Sequence, residues 1–248
     1  MAKAQAPVSV WTRPARSRRE QQPTLHREQI VDAALELLDA DGLGRLSMRR
    51  LGARLNAGAT SVYWHVANKE ELLELAMDRV MAEVTVPPAT AEGGWRAAMT
   101  GYARSLRTMI HRHPWTVTLF GSRPMIGPNA TRVMDEVLAA LGHAGFTGYD
   151  LEYAWAVIVD YVIGAAGSEA SWLVHQRGTT TDEWLAAMGA YLERVNAERP
   201  RLAEHITQVW AQDDADVLEG RFTFGLDCVL DGLAARVGAG QPPGRRGA

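Results

Sequence analysis

The region from residue 47 to residue 65 constrains the fold of this chain more than any other part of its 248 residues. Two short stretches with helical spacing of apolar residues, Met48 to Leu55 and Ala59 to His65, stand on either side of a turn-like sequence. Ser47 is well placed to cap the first stretch, and Asn56 tolerates the positive φ that a tight turn requires. Helices of about two turns have too little contact area to fold alone. They therefore predict a domain in which a longer helix serves as their platform.

Helical periodicity extends through most of the remaining chain. Upstream, apolar residues at helical spacing predict a platform helix from Leu25 to Ala40, ended by Gly42. Downstream, Asn68 is placed to cap a connector helix from Lys69 to Val84. Because no stretch alternates with period two, the predicted fold class is all-α, with an N-terminal helix-turn-helix three-helix domain and a larger C-terminal helical domain. The helices predicted in the larger domain span 95–112, 114–122, 128–144, 150–175, 182–196 and 214–237.

Composition divides the chain into four parts. Residues 1–23 are rich in Ala, Pro, Gln, Ser and Arg, and they predict a disordered basic arm. Residues 24–70 contain the predicted helix-turn-helix domain, residues 71–237 the larger predicted helical domain, and residues 238–248 a predicted disordered tail. Two interpretations of the arginines in the arm stay open: they are inert, or they reach into a minor groove of DNA.

Charge is distributed unevenly along the sequence. Residues 1–70 hold 11 Lys and Arg against 7 Asp and Glu, and the remaining residues hold 15 against 22, so a net +4 precedes a net −7. A basic head on an acidic body suits a protein that offers one end to a polyanion. The one cysteine, Cys228, cannot form an internal disulfide, and no segment reaches the about 18 apolar residues of a membrane span. We therefore expect a soluble cytoplasmic protein with no membrane partner.

The outward residues of the second short helix suit a nucleic-acid surface. They are small, hydroxylated or aromatic, and none is a carboxylate that would repel phosphate: Ala59, Thr60, Ser61, Tyr63, Trp64 and His65. The major groove of DNA, about 12 Å wide, accepts one α-helix with its side chains. Lys69 adds a positive charge where the next helix begins. The pattern predicts a helix-turn-helix that binds double-stranded DNA.

The run Thr60-Ser61-Val62-Tyr63-Trp64-His65-Val66, followed by Asn68-Lys69 and Leu72-Leu73, resembles the DNA-binding domain of the TetR family of repressors. Weaker similarity to the tetracycline-repressor branch continues at Trp95, in the segment from Leu119 to Pro124, and in the segment from Phe222 to Leu226. The resemblance implies operator contacts, mostly to phosphates, by Ser47, Arg49, Thr60, Ser61, Tyr63, His65 and Lys69. Ala59 and Trp64 complete the predicted DNA-binding set.

Two features of this surface leave alternatives open. Tyr63 and Trp64 also fit the core of a small helical bundle. Helix arginines are commonly solvated without a partner, and we favour DNA contact for Arg49 over Arg50 and Arg54.

Base recognition is expected to differ from that of the tetracycline repressors. Ala59 and Thr60 stand where those proteins have Gln and Pro, and Met48 stands where they have Thr. Asn56 replaces the usual glycine of the turn. The resemblance therefore implies a different operator sequence.

A single recognition helix covers only a few base pairs, so operator binding predicts two copies related by a two-fold axis. The last predicted helix has a broad apolar side, and small residues make an earlier long helix thin enough for close approach. With the resemblance, these features imply an intersubunit four-helix bundle. The predicted dimerisation residues are Gly164, Gly167, Leu218, Phe222, Leu226, Val229, Leu230 and Leu233. The alternative is that these faces pack inside one chain.

Aromatic residues are abundant in the larger predicted domain, and they suit either a core or a small-molecule pocket. The resemblance implies effector contacts by Tyr102, Leu106, Phe120, Ser122, Met134, Val137, Leu138, Trp155 and Val159. The residues that bind tetracycline and its magnesium in that branch are not retained: the corresponding positions are Thr85, Tyr102, Val137, and Leu119 or Phe120. We therefore expect a larger, more apolar effector, and no cofactor or metal.

An enzyme is the first competing hypothesis, because His111, His113, Asp160 and His175 have acid–base or metal-ligating side chains. His111 and His113 would splay apart on a helix, where residues three or four apart share a face. We interpret His113 and His175 as ordinary polar residues and predict no catalytic residue. A protein-interaction module without DNA binding is the second competitor. The favoured prediction is a ligand-responsive repressor that binds a palindromic operator as a homodimer and is released by a small, largely apolar molecule.

Overall fold

The computed structural model describes residues 10–11, 25–175, 181–205, 208 and 214–238. Throughout these ranges the regular elements are helical, which confirms the all-α prediction. The α-helices are α1 (Arg27–Asp41), α2 (Met48–Arg54), α3 (Ala59–His65), α4 (Lys69–Met81), α5 (Gly94–Arg112), α6 (Pro128–His143), α7 (Gly148–His175), α8 (Thr181–Glu198), α9 (Pro200–His205) and α10 (Asp214–Gly238). Short 3₁₀ helices cover Leu43–Arg45 and Pro114–Thr118. Within the same ranges, no helix combines the length and the apolar character that crossing a membrane requires.

Packing divides the chain after Ala144 into two compact units. The first unit contains α1 to α6, and the second contains α7 to α10. The sequence predicts a domain boundary after residue 70 instead, whereas α4, α5 and α6 pack with the helix-turn-helix. Most of the predicted arm and tail lies outside the described residues.

α1 is the platform of the first unit. Its buried side carries Ile30, Ala34 and Leu38, as the helical spacing predicts. At its start, the backbone N–H of His26 donates to the side-chain oxygen of Gln29 at 2.8 Å, which satisfies a helix-end group. At its end, Gly42 has a φ of 74° and its N–H donates to the carbonyl oxygen of Leu38 at 2.9 Å. The glycine is required there because other residues rarely adopt this φ.

α4 packs against both α1 and α6, and it is buried on both sides. Leu72, Ala76 and Val80, three of the apolar positions predicted for the connector helix, have no exposed surface. α4 ends at Met81, earlier than the predicted end at Val84, and Val84 is buried in the segment that follows. The first unit therefore has one core that includes the connector helix.

α4 and α6 also cap each other's ends. Asp78 of α4 accepts hydrogen bonds through Oδ1 from the backbone N–H groups of Asn129, at 3.0 Å, and Ala130, at 2.9 Å. In return, the guanidinium of Arg132 on α6 donates to the carbonyl oxygen of Val84 at 3.0 Å, just beyond the end of α4. Helix ends leave such backbone groups without partners inside the helix. The reciprocal bonds therefore fasten the two helices together at defined positions.

Residues 10 and 11 pack on the same part of the first unit. Val10 is buried, and its N–H donates to Oε2 of Glu74 on α4 at 3.0 Å. The Trp11 ring lies so close to Gly127 that a β-carbon at that glycine would approach the ring to 2.6 Å. Both residues belong to the predicted disordered arm, and here the structure differs from the prediction. The reason is physical: this apolar pair removes surface from water by packing on α4.

In the second unit, α7 packs against α10. Phe222, Leu226 and Leu230 of α10 are buried, as are Ile158 and Val162 of α7. The hydroxyl of Tyr161 on α7 donates to the carbonyl oxygen of Phe222 on α10 at 2.7 Å. A β-carbon at Gly225 would collide with the Tyr161 ring and hydroxyl, so the packing of this side chain requires glycine there.

We expect Asp78→Ala to lower the free energy of unfolding by about 2 kcal/mol, because it removes a buried charged acceptor and leaves two helix-end N–H groups without it. Urea denaturation of the full chain measures this change. Asp135→Ala is the matched control, since Asp135 is an exposed carboxylate on α6, the helix whose start Asp78 caps. Equal stability of the two variants would contradict the capping role.

Candidate nucleic-acid interface

The helix-turn-helix is built from local bonds that the sequence predicts. The Ser47 side-chain oxygen accepts from the backbone N–H of Arg50 at 3.3 Å and caps α2. Asn56 has a φ of 49°, the left-handed conformation expected of it in the turn. Asn68 accepts from the N–H of Glu71 at 2.8 Å and caps α4. Both hydrogen bonds join residues three positions apart, so these features of the helix-turn-helix depend on near neighbours in the sequence.

The inner faces of α2 and α3 share one apolar contact. Met48 and Leu51 of α2 are buried, and Val62 of α3 is completely buried together with Val66 just after it. α2 also packs against α1, which is therefore the platform that the two short helices require. Since Val62 and Val66 are directed inward, the positions between them are left on the outer side of α3.

The outer side of α3 presents the predicted recognition residues. Thr60 and Ser61 are exposed, Tyr63 is 45% exposed and Trp64 is 70% exposed. The alternative that Tyr63 and Trp64 form a core is therefore wrong. His65 is half-buried, and its carbonyl oxygen accepts from Arg27 at 3.5 Å. Ala59 begins α3, and its side chain lies outside the described residues.

The arginines of α2 divide into two kinds. Arg50 forms an ion pair with Asp41 at 2.6 Å, and Arg54 forms one with Glu36 at 2.5 Å. Both carboxylates belong to α1, so these two cations are directed at the platform. Arg49 is exposed and forms no ion pair within the described part of the chain. This distribution supports the preference for Arg49 as a DNA contact, which stays a prediction.

Ser47 and Lys69 already have partners within the chain. The Ser47 hydroxyl accepts a hydrogen bond as a cap, but its own O–H can still donate to a phosphate. The Lys69 ammonium is half-buried and donates to the carbonyl oxygen of Leu43 at 3.1 Å. An ammonium has three donors, so this bond leaves donors for a phosphate. Lys69 therefore also holds the start of α4 against the segment after α1.

The predicted effector residues are divided between the two units. Tyr102, Leu106 and Val137 are buried within the first unit, where α5 packs against α6. Phe120, Met134 and Leu138 are half-buried, and Ser122 is exposed and donates to the carbonyl oxygen of Leu119 at 2.8 Å. Trp155 and Val159 lie half-buried on α7 of the second unit. Their role as effector contacts stays a prediction.

The predicted dimerisation residues fall into two groups. Four of them are already buried inside the second unit: Phe222, Leu226, Leu230 and Leu233. For these four residues the structure shows packing within one chain, which is the alternative to a contact between subunits. The remaining four keep exposed or partly exposed surface: Gly164, Gly167, Leu218 and Val229. An intersubunit contact is therefore proposed below from Val229 together with other residues of α7 and α10.

Sequence reasoning missed one polar cluster. His113, interpreted as an ordinary polar residue, is buried, and its ring nitrogens lie 2.7 Å from Oδ1 of Asp39 and 3.1 Å from Oε1 of Glu83. Burial by itself lowers the pKa of His113, but the hydrogen bonds and negative charges of both carboxylates raise it above the ordinary 6.5. The two carboxylates are far from His113 in sequence, so no local spacing could reveal them.

An exposed, acid-free recognition helix on an all-helical body defines a class, the helix-turn-helix DNA-binding regulators. Two family profiles match the chain. "Bacterial regulatory proteins, tetR family" matches residues 30–76, and "Tetracyclin repressor-like, C-terminal domain" matches residues 87–237. The chain therefore belongs to the TetR family, which confirms the resemblance seen in the sequence.

Curated relatives cover nearly the whole chain. An HTH-type transcriptional regulator of Saccharopolyspora erythraea is 38% identical over 233 residues, 94% of each chain. The HTH-type transcriptional repressor DrrR1 of Streptomyces coeruleorubidus is 37% identical over 231 residues, 92% of this chain and 84% of the relative. Both relatives are transcriptional regulators.

Solved structures show the same fold. ActR from Streptomyces coelicolor in complex with actinorhodin has a TM-score of 0.71 and 32% identity, covering 88% of this chain and 99% of that one. Family membership and these relatives make the present chain a ligand-responsive, DNA-binding transcriptional regulator, as the sequence predicts.

Proposed function

We propose that the protein is a repressor that binds a palindromic operator as a homodimer, in the cytoplasm, and is released by a small, largely apolar molecule. The observation that carries the proposal is the outer side of α3, where Thr60, Ser61, Tyr63 and Trp64 are exposed. On the neighbouring helix α2, Arg49 is also exposed and has no ion pair among the residues that the structure describes. DNase I footprinting of the DNA that flanks its own gene tests it. We expect a protected palindrome, and an absence of protection at saturating protein would refute the proposal.

The chemistry of the α3 surface supports DNA as the partner. Its hydroxyl groups donate hydrogen bonds to phosphate oxygens, and α3 contains no Asp or Glu to repel them. The Arg49 guanidinium lies on the neighbouring helix and adds a charge without having to break an existing ion pair. Arg50 and Arg54 would have to give up their α1 partners first. We therefore assign phosphate contact to Arg49 rather than to its neighbours.

Exposed apolar residues of the second unit support a homodimer. An open groove of about 750 Å³ lies between α7 and α10 and is lined by Tyr153, Val157 and Val229, among others. Tyr153 is 63% exposed and stacks on the ring of Tyr149, which is 80% exposed, with ring centroids 6.1 Å apart. Monomeric proteins rarely leave contiguous apolar patches of this kind in water. A second copy of the same two helices would bury them in a four-helix arrangement.

The effector proposal rests on residues that the tetracycline repressors do not share. Val137 replaces a polar drug contact of that branch and is completely buried, so it adds apolar surface rather than a hydrogen bond. Tyr102 and Leu106 are buried on α5 beside it in the same unit. Because α6 is fastened to α4 through Asp78 and Arg132, an effector that shifts α6 also shifts the connector helix. The solved ActR complex makes actinorhodin the first molecule to test.

We expect Arg49→Ala to weaken operator binding and to reduce the slope of log affinity against log salt by about 1.8, because each subunit of the dimer loses about one phosphate contact. Fluorescence anisotropy with the footprinted fragment, at several salt concentrations, measures both effects. Arg54→Ala is the matched control, because it removes the same charge from the same helix but breaks an ion pair with Glu36 instead. Equal salt slopes for the two variants would contradict the assignment of phosphate contact to Arg49.

We expect Val157→Glu to convert the dimer into a monomer, because it places a carboxylate in an apolar face that the partner would cover. Sedimentation velocity at low protein concentration measures the oligomeric state. Ala139→Glu, which adds the same charge to an exposed position on α6, is expected to leave the dimer intact. A dimer that survives Val157→Glu, or a wild-type monomer that binds operator, would contradict this interface.

We expect actinorhodin to lower operator affinity by about tenfold or more, within the usual range of coupling between two sites. Magnesium with tetracycline is expected to have no such effect. Operator titrations with and without each compound measure the coupling, and calorimetry measures direct binding. Tight, magnesium-dependent tetracycline binding would show that the inference from the changed pocket residues is wrong.

A further inference from the structure

The His113 cluster joins three separate parts of the first unit. Nδ1 of His113 lies 2.7 Å from Oδ1 of Asp39, which belongs to the last turn of α1. Nε2 lies 3.1 Å from Oε1 of Glu83, two residues beyond the end of α4. His113 itself lies between α5 and the 3₁₀ helix Pro114–Thr118. One buried imidazole therefore connects the platform of the helix-turn-helix, the connector helix and the end of α5.

The geometry favours the charged imidazolium. Each ring nitrogen of His113 faces a carboxylate oxygen, and an ionised carboxylate only accepts hydrogen bonds. A neutral imidazole has one N–H, so its other ring nitrogen would face a carboxylate oxygen with a lone pair instead of a proton. The imidazolium donates in both directions. Both bonds are then charge-assisted, which is the stronger kind.

The surroundings of the cluster balance this charge. Besides His113, Asp39 accepts from the indole N–H of Trp115 at 2.7 Å. Glu83 also forms an ion pair with Arg112, the last residue of α5. The charged groups that face His113 or its partners are therefore Asp39 of α1, Glu83 after the end of α4, and Arg112 of α5. With His113 charged, two cations meet two anions, and the buried ring is not left with an uncompensated charge.

The cluster is well placed to act on the DNA-binding surface. Asp39 lies two residues before Asp41, whose carboxylate forms the ion pair with Arg50 of α2. The same last turn of α1 thus receives the His113 contact on one side and holds α2 on the other. α2 in turn packs against the recognition helix α3. A change in the position of this turn would be passed directly to α2 and α3.

We propose that His113 is a positioning residue: its imidazolium fastens the last turn of α1 to the end of α4 and of α5, and so holds the helix-turn-helix in the orientation that binds the operator. This inference rests on the proposed function. A recognition helix that is ordered beforehand has less freedom to lose on binding, so the fastened form binds DNA more tightly. As pH rises through the titration of His113, the proton is released to solvent and one of the two bonds is lost.

The sign of the pH effect follows from the raised pKa of His113. The contribution of the two bonds is complete below the ordinary value of 6.5 and is lost as the pH rises through the higher value in the folded protein. The proposed DNA surface carries a second histidine, His65, so raw affinity alone does not isolate His113. The informative quantity is the ratio of wild-type affinity to His113→Gln affinity at each pH.

The experiment measures operator affinity of the full chain by anisotropy from pH 6 to about pH 9 at constant ionic strength, in buffers where every variant is folded by circular dichroism. We expect the ratio to be about five at low pH, at the lower end of known site couplings, and to fall toward one at high pH. The fall should coincide with the titration midpoint of His113 followed by NMR in DNA-free protein. His143→Gln is the matched control, since it removes an exposed histidine of α6, and its ratio should stay at one.

Asp39→Asn provides a second variant that keeps the size of the side chain and removes its charge. We expect it to lower the NMR midpoint of His113 and to weaken operator binding at low pH. A pH-independent ratio with normal operator binding, or an NMR midpoint at or below 6.5, would overturn this inference alone. Wild-type protein that fails to bind the fragment at every pH would instead refute the proposed function, and this inference with it.

Discussion

The burial of α4 on both of its sides is the interaction on which the first unit depends. Leu72, Ala76 and Val80 have no exposed surface, and α1 and α6 pack on this one helix from different directions. The helix-turn-helix and the helices that carry most of the predicted effector residues therefore share a single core. Packed interiors change between discrete arrangements rather than deforming continuously, so a displacement of α6 has to involve α4.

Apolar burial explains why these helices stay together, but it does not specify their register, because the hydrophobic effect has no preferred direction. The polar contacts at helix ends supply the direction. Asp78 caps α6, Arg132 bonds beyond the end of α4, and Lys69 holds the start of α4 to the segment after α1. His113 adds a fourth contact at the last turn of α1. Each bond requires its atoms at one distance and angle, and together they fix the positions of α1, α4 and α6 relative to one another.

The sequence could predict those parts of the site that depend on near neighbours. The caps at Ser47 and Asn68 and the left-handed turn at Asn56 are all present, because each involves residues within three positions along the chain. The prediction of helix ends was less accurate: α4 stops at Met81, and Val84 is buried in the turn segment that follows it. The docking of Val10 on α4 was not predicted, because its partner Glu74 is distant in sequence.

By itself, the sequence determined that the chain is helical, that a short acid-free recognition helix follows a tight turn, and that the family is TetR. Periodicity, capping and residue type carry this information locally. Only the tertiary structure decided which arginines of α2 form ion pairs with α1, which apolar residues of α10 are already covered within the chain, and that His113 lies between two carboxylates. These properties depend on side chains brought together from distant positions, and a one-dimensional pattern does not record which of them meet.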